Sequence, residues 1–473
     1  KSEYKFYINQ FLTITILINQ SKIMKKVFLS AVALMIASVG LAQDNSSGVV
    51  QLGVDNTSNV EQDGLENLSG VVQAGYMNDS DVYQLGDQNL SQVVSVGVEN
   101  TSDVDQMEDG NQSAVYQLGL RNMSTVDQNG EGTTRTRGYN ESGVLQVGVD
   151  NTSTVTQTKR GYNESGVIQI GARNSSTVMQ KGSSGWDYTK GENRSGVIQL
   201  GSTNTSDVDQ DGKRNESGVI QLGSTNMSDV YQKGDDNTSG VIQIGSSNMS
   251  DVYQEGDDNT SSVVQIGSDN TSDVDQGKSG FGGDSYNNES DVLQIGANNS
   301  STVSQQRGSL FGNGYNVSTV RQLGFYNDSD VDQKGRTNIS DVDQFGAYNT
   351  SNVTQNGGFK FFRTFNGNTS DVFQLGLGNS SDVNQQGVAN FAANDSEVTQ
   401  IGVLNNSDVD QIGVTNVSDV IQLGGLNGST VTQLGASNNS DVYQLGIANG
   451  SSVTQIGDGN SSNVDQIGGL NGS

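Results

Sequence analysis

An all-β solenoid is what this sequence encodes: about 18 stacked rungs, each of two strands and 22 residues, with the strands running across the stack in cross-β fashion. Three observations lead there. An eleven-residue pattern recurs from Asn45 onward, each copy alternates inward and outward residue types with period two, and proline is absent from all 473 residues. Average usage would supply proline at about 5%. A chain without it behaves as though nearly every backbone N–H serves a sheet ladder, which proline cannot do.

The repeated unit is N-x-S-x-V-x-Q-x-G-x-x. Thirty-six asparagines anchor it, from Asn45, Asn56 and Asn67 to Asn460 and Asn471, and 35 units are complete. Serine follows two residues later and valine four later in every complete unit. Glutamine follows at six except at Ser95, and glycine at eight except at Glu108, Lys159, Lys278 and Arg307. Alternate units differ between these anchors. Odd units read SGVVQLG (47–53) or SGVIQIG (165–171), even units SDVDQDG (206–212) or SDVYQKG (228–234), so the full period is 22. Two strands per turn, each with its own outer face, follow from that doubling.

Asn, Ser, Val and Gln at every second position share one side of a strand. The residues between them vary among Gly, Asp, Thr, Tyr and Ile, as an outer face does. The connection carrying glycine supplies the turn, where positive φ costs glycine little. One rung alone cannot fold. Two buried valines contribute roughly 3–6 kcal/mol, whereas ordering each backbone residue costs about 1–2 kcal/mol. Stacking makes up the deficit and also accommodates the inward amides, because identical amides about 4.8 Å apart bond to one another in a ladder. Serine is expected to do the same on a smaller scale. In the central units the ladder residues are Asn204, Ser206, Val208 and Gln210, then Asn215, Ser217, Val219 and Gln221, then Asn226, Ser228, Val230 and Gln232. Gly201, Gly212, Gly223 and Gly234 hold the turns.

Seven insertions, of 7, 1, 8, 7, 6, 8 and 4 residues, precede Asn140, Asn163, Asn193, Asn288, Asn316, Asn368 and Asn394. Each follows an even number of units, so all fall at the same turn of the two-strand rung and are expected to project from a single edge. Segments 129–139 (NGEGTTRTRGY), 183–192 (SSGWDYTKGE, with the single tryptophan, Trp186) and 357–366 (GGFKFFRTFN) combine basic and aromatic residues. They suit contact with polysaccharide, DNA or a neighbouring fibril; tolerated loop drift explains them equally simply.

Residues 24–43 read MKKVFLSAVALMIASVGLAQ. Lys25 and Lys26 form a basic start, Val27 to Ala37 an apolar stretch, and Gly40-Leu41-Ala42 a small-x-small cleavage site, which together describe a secretory signal peptide over 24–42. Residues 1–23 are read as an upstream segment outside the fold, and 43–473 as the repeat. No further segment is apolar and long enough to span a membrane as a helix.

No residue set here suits catalysis. Without histidine or cysteine the chain has no Ser–His or Cys–His pair, no thiolate metal site and no disulfide. The repeat's polar groups are all copies of one another, and no cofactor is expected. A net charge of −29 argues against a specific nucleic-acid partner. The Asn-x-Ser sequon in each unit is read as core. Asp207 and Asp209, like Asp273 and Asp275, alternate with valine and so face outward. They form candidate weak cation-binding rows, or a solvated, mutually repelling face.

The stretch Gln51-Leu52-Gly53-Val54-Asp55-Asn56-Thr57-Ser58-Asn59-Val60-Glu61-Gln62 resembles the curlin repeat, in which Gln stands five residues before an Asn, Ala or Ser two after it and a second Gln six after it. Typical curlins carry a handful of 22-residue repeats, and here they continue through about seventeen and a half. The resemblance implies a curli-type functional amyloid subunit, secreted to the surface of a Gram-negative bacterium. Such a subunit polymerises end to end into biofilm-matrix fibres for adhesion and cell aggregation. Implied partners are other copies of the chain, a curli-type outer-membrane secretion pore, a nucleator subunit and, through the edge loops, matrix polysaccharide. A different class, a monomeric cell-surface β-solenoid adhesin or ice-binding protein, would need polar caps or regular threonine rows.

Overall fold

The computed structural model describes residues 45–130, 139–159, 161–182, 192–277, 285–306, 315–335, 337–357, 367–387 and 393–473. The signal-peptide reading at 24–42, the upstream segment 1–23 and most of the inserted segments 129–139, 183–192 and 357–366 lie outside the described residues.

Two compact units divide the chain, Lys1–Ser247 and Asn248–Ser473. Each is a parallel β-solenoid in which the chain alternates between two sheets, here called A and B. In the first unit nine odd-repeat strands, from Ser46–Val54 to Thr238–Ser246, form sheet A, and eight even-repeat strands, from Thr57–Asp63 to Met227–Asp235, form sheet B. In the second unit nine strands from Thr260–Ser268 to Ser461–Gly469 form sheet A and nine from Met249–Asp257 to Gly450–Ile456 form sheet B. The eighteen A strands and seventeen B strands agree with the expected number of rungs. A further short strand, Ser285–Tyr286, pairs with Gly256 and Asp257.

Register follows the repeat residue for residue. Ser195 pairs with Ser217, Val197 with Val219 and Gln199 with Gln221, each one 22-residue turn on. Insertions do not shift it: Gln146 pairs with Gln169 and Gln169 with Gln199, across one-residue and eight-residue insertions. The pairing is kept because slipping one residue would turn every ladder side chain outward. Each insertion leaves a sheet B strand and re-enters a sheet A strand, as between Ser175–Gly182 and Glu192–Ser202. The return from A to B takes no insertion; Glu192–Ser202 reaches Thr205–Lys213 through two residues.

The core is a column of valines flanked by amides. Val71, Val93, Val208, Val219 and Val230 are fully buried, as are the glutamines and asparagines beside them. Val49, in the first described strand, is 45% exposed, whereas Val71 one turn later is at 0%. A rung closes its core only when it has neighbours on both sides, which is the energetic point anticipated for a single rung.

Candidate functional site: the buried amide ladders

Glutamine and asparagine build two kinds of ladder. Gln199 Nε2 donates to Gln221 Oε1, and Gln221 Nε2 to Gln243 Oε1, each at 2.8 Å. The second N–H of each amide crosses the core to a backbone carbonyl at the start of the opposite sheet: Gln199 to Ser175 O and Gln221 to Thr205 O, both at 2.8 Å. On sheet B, Gln210 donates to Gln232 Oε1 at 2.7 Å and to Arg194 O at 3.0 Å. Each glutamine therefore ties its rung to the next and also ties the two sheets together.

Asparagine closes the corner. Asn226 donates both its backbone N–H and its Nδ2 to Asn204 Oδ1, at 3.1 Å each. Its Nδ2 also donates to Gly245 O at 3.1 Å. Asn215 does the same toward Asn193 Oδ1 at 3.2 Å and Gly234 O at 2.9 Å. The side-chain amide so binds the turn carbonyl of the following rung, a partner that a pattern of inward and outward residues does not reveal.

The two ladders point in opposite directions. Glutamine amides donate to the glutamine of the following rung, whereas asparagine amides donate to the asparagine of the preceding one. The forward side of a rung thus offers glutamine donors and asparagine acceptors, and its rear side the complement. A rung is matched by a parallel copy of itself stacked head to tail.

Serine departs from expectation. Ser206, Ser217 and Ser228 are buried, but their Oγ atoms have no hydrogen-bond partner in the protein, and the same holds for the repeat serines from Ser58 to Ser451. The reason is reach. A side-chain amide carries donor and acceptor on different atoms and spans a rung spacing of about 4.8 Å. A hydroxyl has one oxygen, and its copy one rung away lies beyond the ~3.0 Å that an O–H···O bond allows. At Ser95, which replaces a ladder glutamine, Oγ donates instead to the long Gln117 side chain at 3.1 Å.

The turn glycines are held by two constraints. Gly201, Gly212, Gly223 and Gly234 have φ of 127°, 144°, 122° and 118°. A Cβ on Gly201 would stand 1.9 Å from the carbonyl oxygen of Gly223, so the next rung occupies the space. Two of the sequence exceptions, Glu108 and Lys159, turn at φ of 69° and 67°, in the left-handed region open to L residues; Lys278 and Arg307 lie outside the described residues. A second strained position went unread in the sequence. The residue just before an anchoring asparagine is left-handed in most rungs, as at Asp55, Thr203, Thr225 and Leu426, with φ of 55–59°. Its N–H donates to the preceding turn, Thr225 to Ser202 O at 3.0 Å. Side chains there vary freely, so only a backbone trace exposes the strain.

The aspartates face outward on sheet B, with neighbours set by the register. Asp207 pairs with Asp229 one rung on, whereas Asp209 meets Tyr231 and Asp211 meets Lys233. Burial against the sheet, then the charge of Asp209, pushes the Asp207 carboxyl above the usual range; burial, then Asp207, does the same to Asp229. Large shifts lie on sheet A of the second unit, around Arg321, whose Nη2 meets Asp341 at 2.8 Å. Burial, then Asp341, raises Asp343 to about 6, although Arg321 opposes it. Burial, then Asp341 and Glu397, raises Asp371 to about 6.

At Asp273 and Asp275, two of the candidate cation-binding positions, the register sets the neighbours. Asp273 has Asp251 on the preceding strand but Thr302 on the following one. Asp275 stands between Tyr253 and Ser304, with no carboxylate at its register position on either side. Asp275 is also only half-exposed, and its Oδ1 is shut off from solvent. An aspartate that recurs along the chain therefore forms no continuous row here, because adjacent rungs place other residue types beside it. Asp207 and Asp209 likewise stand as one exposed and one half-exposed carboxylate on a sheet face. Among the described residues no three acidic side chains gather closely enough to hold a metal ion.

Fold and ladders together define a structural protein: a parallel β-solenoid whose rungs are joined by side-chain amides to their own copies. The curlin-associated repeat family matches residues 201–234, 229–256 and 251–277. These are three successive repeats, and the first match contains all the central ladder residues from Asn204 to Gln232; over residues 201–277 the chain is similar to the curlin-associated repeat. No relative was found among curated proteins. Among the described residues no helix is long and apolar enough to cross a membrane.

Proposed function

We propose that this chain is a secreted subunit that assembles end to end into curli-like amyloid fibres of a biofilm matrix, serving adhesion and cell aggregation. The observation that carries this reading is the opposed polarity of the glutamine and asparagine ladders. Each rung is complementary on its forward side to the rear side of its own kind, so a further copy added head to tail continues every ladder. The central ladder residues are then the assembly surface, and the turn glycines keep successive rungs at bonding distance. The curlin-repeat match supports a curli-type export route, with a signal peptide, an outer-membrane secretion pore and a nucleator as partners. The segments inserted between sheet B and sheet A strands, with their basic and aromatic residues, are the part of the subunit that would meet matrix polysaccharide.

The purified chain should convert to fibres that bind amyloid dyes and diffract near 4.8 Å and 10 Å. Preformed seeds should abolish the lag. A chain that stays monomeric at high concentration with seeds present overturns the proposal and favours a monomeric surface adhesin.

A further inference from the structure

Sheet A of the first unit has an outer face unlike the rest of the chain. In strands Tyr162–Ala172, Glu192–Ser202, Glu216–Ser224 and Thr238–Ser246 the outward residues flanking valine and glutamine read Gly-Ile-Ile, Gly-Ile-Leu, Gly-Ile-Leu and Gly-Ile-Ile. Register stacks Ile168, Ile198, Ile220 and Ile242 into one row. A second aliphatic row runs beside it, in which Leu118, Ile170 and Ile244 are 41%, 42% and 37% exposed. Across all nine A strands of this unit the three outward positions hold no charged residue, in a chain of net charge −29. Charges such as Glu164, Arg194 and Glu216 stand at the margin. The opposite face is acidic, with Asp103, Asp105, Asp207 and Asp209 on sheet B.

We propose that this face pairs side by side with the same face of a second copy. The pairing is lateral and separate from growth along the stack. Charge selects the occupant: two copies of so acidic a chain repel wherever their sheet B faces approach, and sheet A of the first unit lets them meet without opposing carboxylates. Area permits it. Nine strands at about 4.8 Å give a face roughly 43 Å long. Two side-chain rows make it about 12 Å wide, so a pair buries on the order of 1,000 Å², the lower bound for a specific interface. An apolar centre with a polar margin is the usual anatomy of such a contact, and one patch serving both partners is the isologous arrangement of two-fold pairs. A lipid surface is the competing occupant, and the face offers it no row of Lys or Arg to meet phosphate.

The test uses the full chain and the triple variant Ile168→Asp/Ile198→Asp/Ile220→Asp. Sheet A tolerates aspartate at this position, since Asp343 and Asp465 occupy it in the second unit. Before fibre growth, sedimentation should show wild-type pairs that tighten as salt rises and screens the net charge. The triple variant should pair at least ten-fold more weakly. Asp207→Asn/Asp209→Asn/Asp229→Asn, on the other face, should pair as well as wild type or better. Where fibres form, micrographs should show paired wild-type filaments and single variant filaments, with seeded growth rates within two-fold of each other. Wild-type chain that stays monomeric at about 100 µM, a ceiling that only a weak contact would miss, overturns the proposal, as does a variant that pairs as tightly as wild type. Wild-type chain that floats with phosphatidylcholine vesicles yet does not pair assigns the face to lipid and also overturns it. Pairing without fibre growth keeps this inference and refutes the fibre reading; single wild-type filaments do the reverse.

Discussion

Replacing Gln221 with leucine isolates the ladder from the rest of the fold. Gln221 is fully buried and makes three bonds: it accepts from Gln199 Nε2 and donates to Gln243 Oε1 and to Thr205 O, all at 2.8 Å. Leucine makes none of them, so Gln199, Gln243 and the Thr205 carbonyl each lose a partner inside the core. At about 1–3 kcal/mol for each buried polar atom that loses its bond, the gross cost is roughly 3–9 kcal/mol. Burying leucine returns about 1.5–3 kcal/mol, which leaves a net loss on the order of 3 kcal/mol. Because rungs touch only their neighbours, the loss should remain local. Hydrogen exchange in strands Glu192–Ser202, Glu216–Ser224 and Thr238–Ser246 should accelerate on the order of 100-fold, and seeded fibre growth should slow. Asp229→Asn, on the outer face, should change exchange less than two-fold, since it removes a carboxylate already disfavoured by burial and by Asp207. Equal protection in the two variants would show that the inward amides do not hold the rungs together.

Ser206→Ala should be neutral or stabilise by up to about 1 kcal/mol, because the buried Oγ has no partner to lose; a measured loss above that in denaturant midpoint would mean that serines do bond along the stack. Gly201→Ala should cost roughly 2–4 kcal/mol, given its φ of 127° and the Gly223 oxygen 1.9 Å from the new Cβ. Gly196→Ala, where nothing lies within 4 Å of the added carbon, should be nearly silent, and thermal melts of the two variants that coincide would refute the turn argument. Acid should stabilise the second unit. Asp343 and Asp371 titrate near 6 when folded and near 3.9 when unfolded, so their contribution is fully present below about 4 and is lost as pH rises through 6. The swing is on the order of 2 kcal/mol for the coupled pair after solvent screening. Guanidinium midpoints measured from pH 4 to 8 should fall with rising pH and flatten in Asp371→Asn; a midpoint that rises would contradict the burial of these carboxylates.

Most of the architecture was legible before any coordinates because a parallel stack makes each residue the neighbour of its own copy. Invariance at Asn204, Val208 and Gln210, one turn after another, is therefore a direct record of contact, and period two assigns the side. The even number of units before each insertion located its turn for the same reason: counting copies counts strands, so every insertion falls between a sheet B strand and the next sheet A strand. What stayed hidden depends on distances and backbone angles that residue identity does not carry. Serine is as regular as glutamine along the chain, yet only the rung spacing shows that an amide bridges it and a hydroxyl does not. Thr225 and Leu426 look like ordinary variable residues, and their left-handed backbone is imposed by the hydrogen bond each makes to the turn before. Likewise the titration of Asp343 and Asp371 near 6 arises where burial and neighbouring carboxylates coincide on one sheet face, whereas sequence alone places such groups near their ordinary range. A repeating sequence determines which copies meet; the three-dimensional spacing between them decides which of those meetings become bonds.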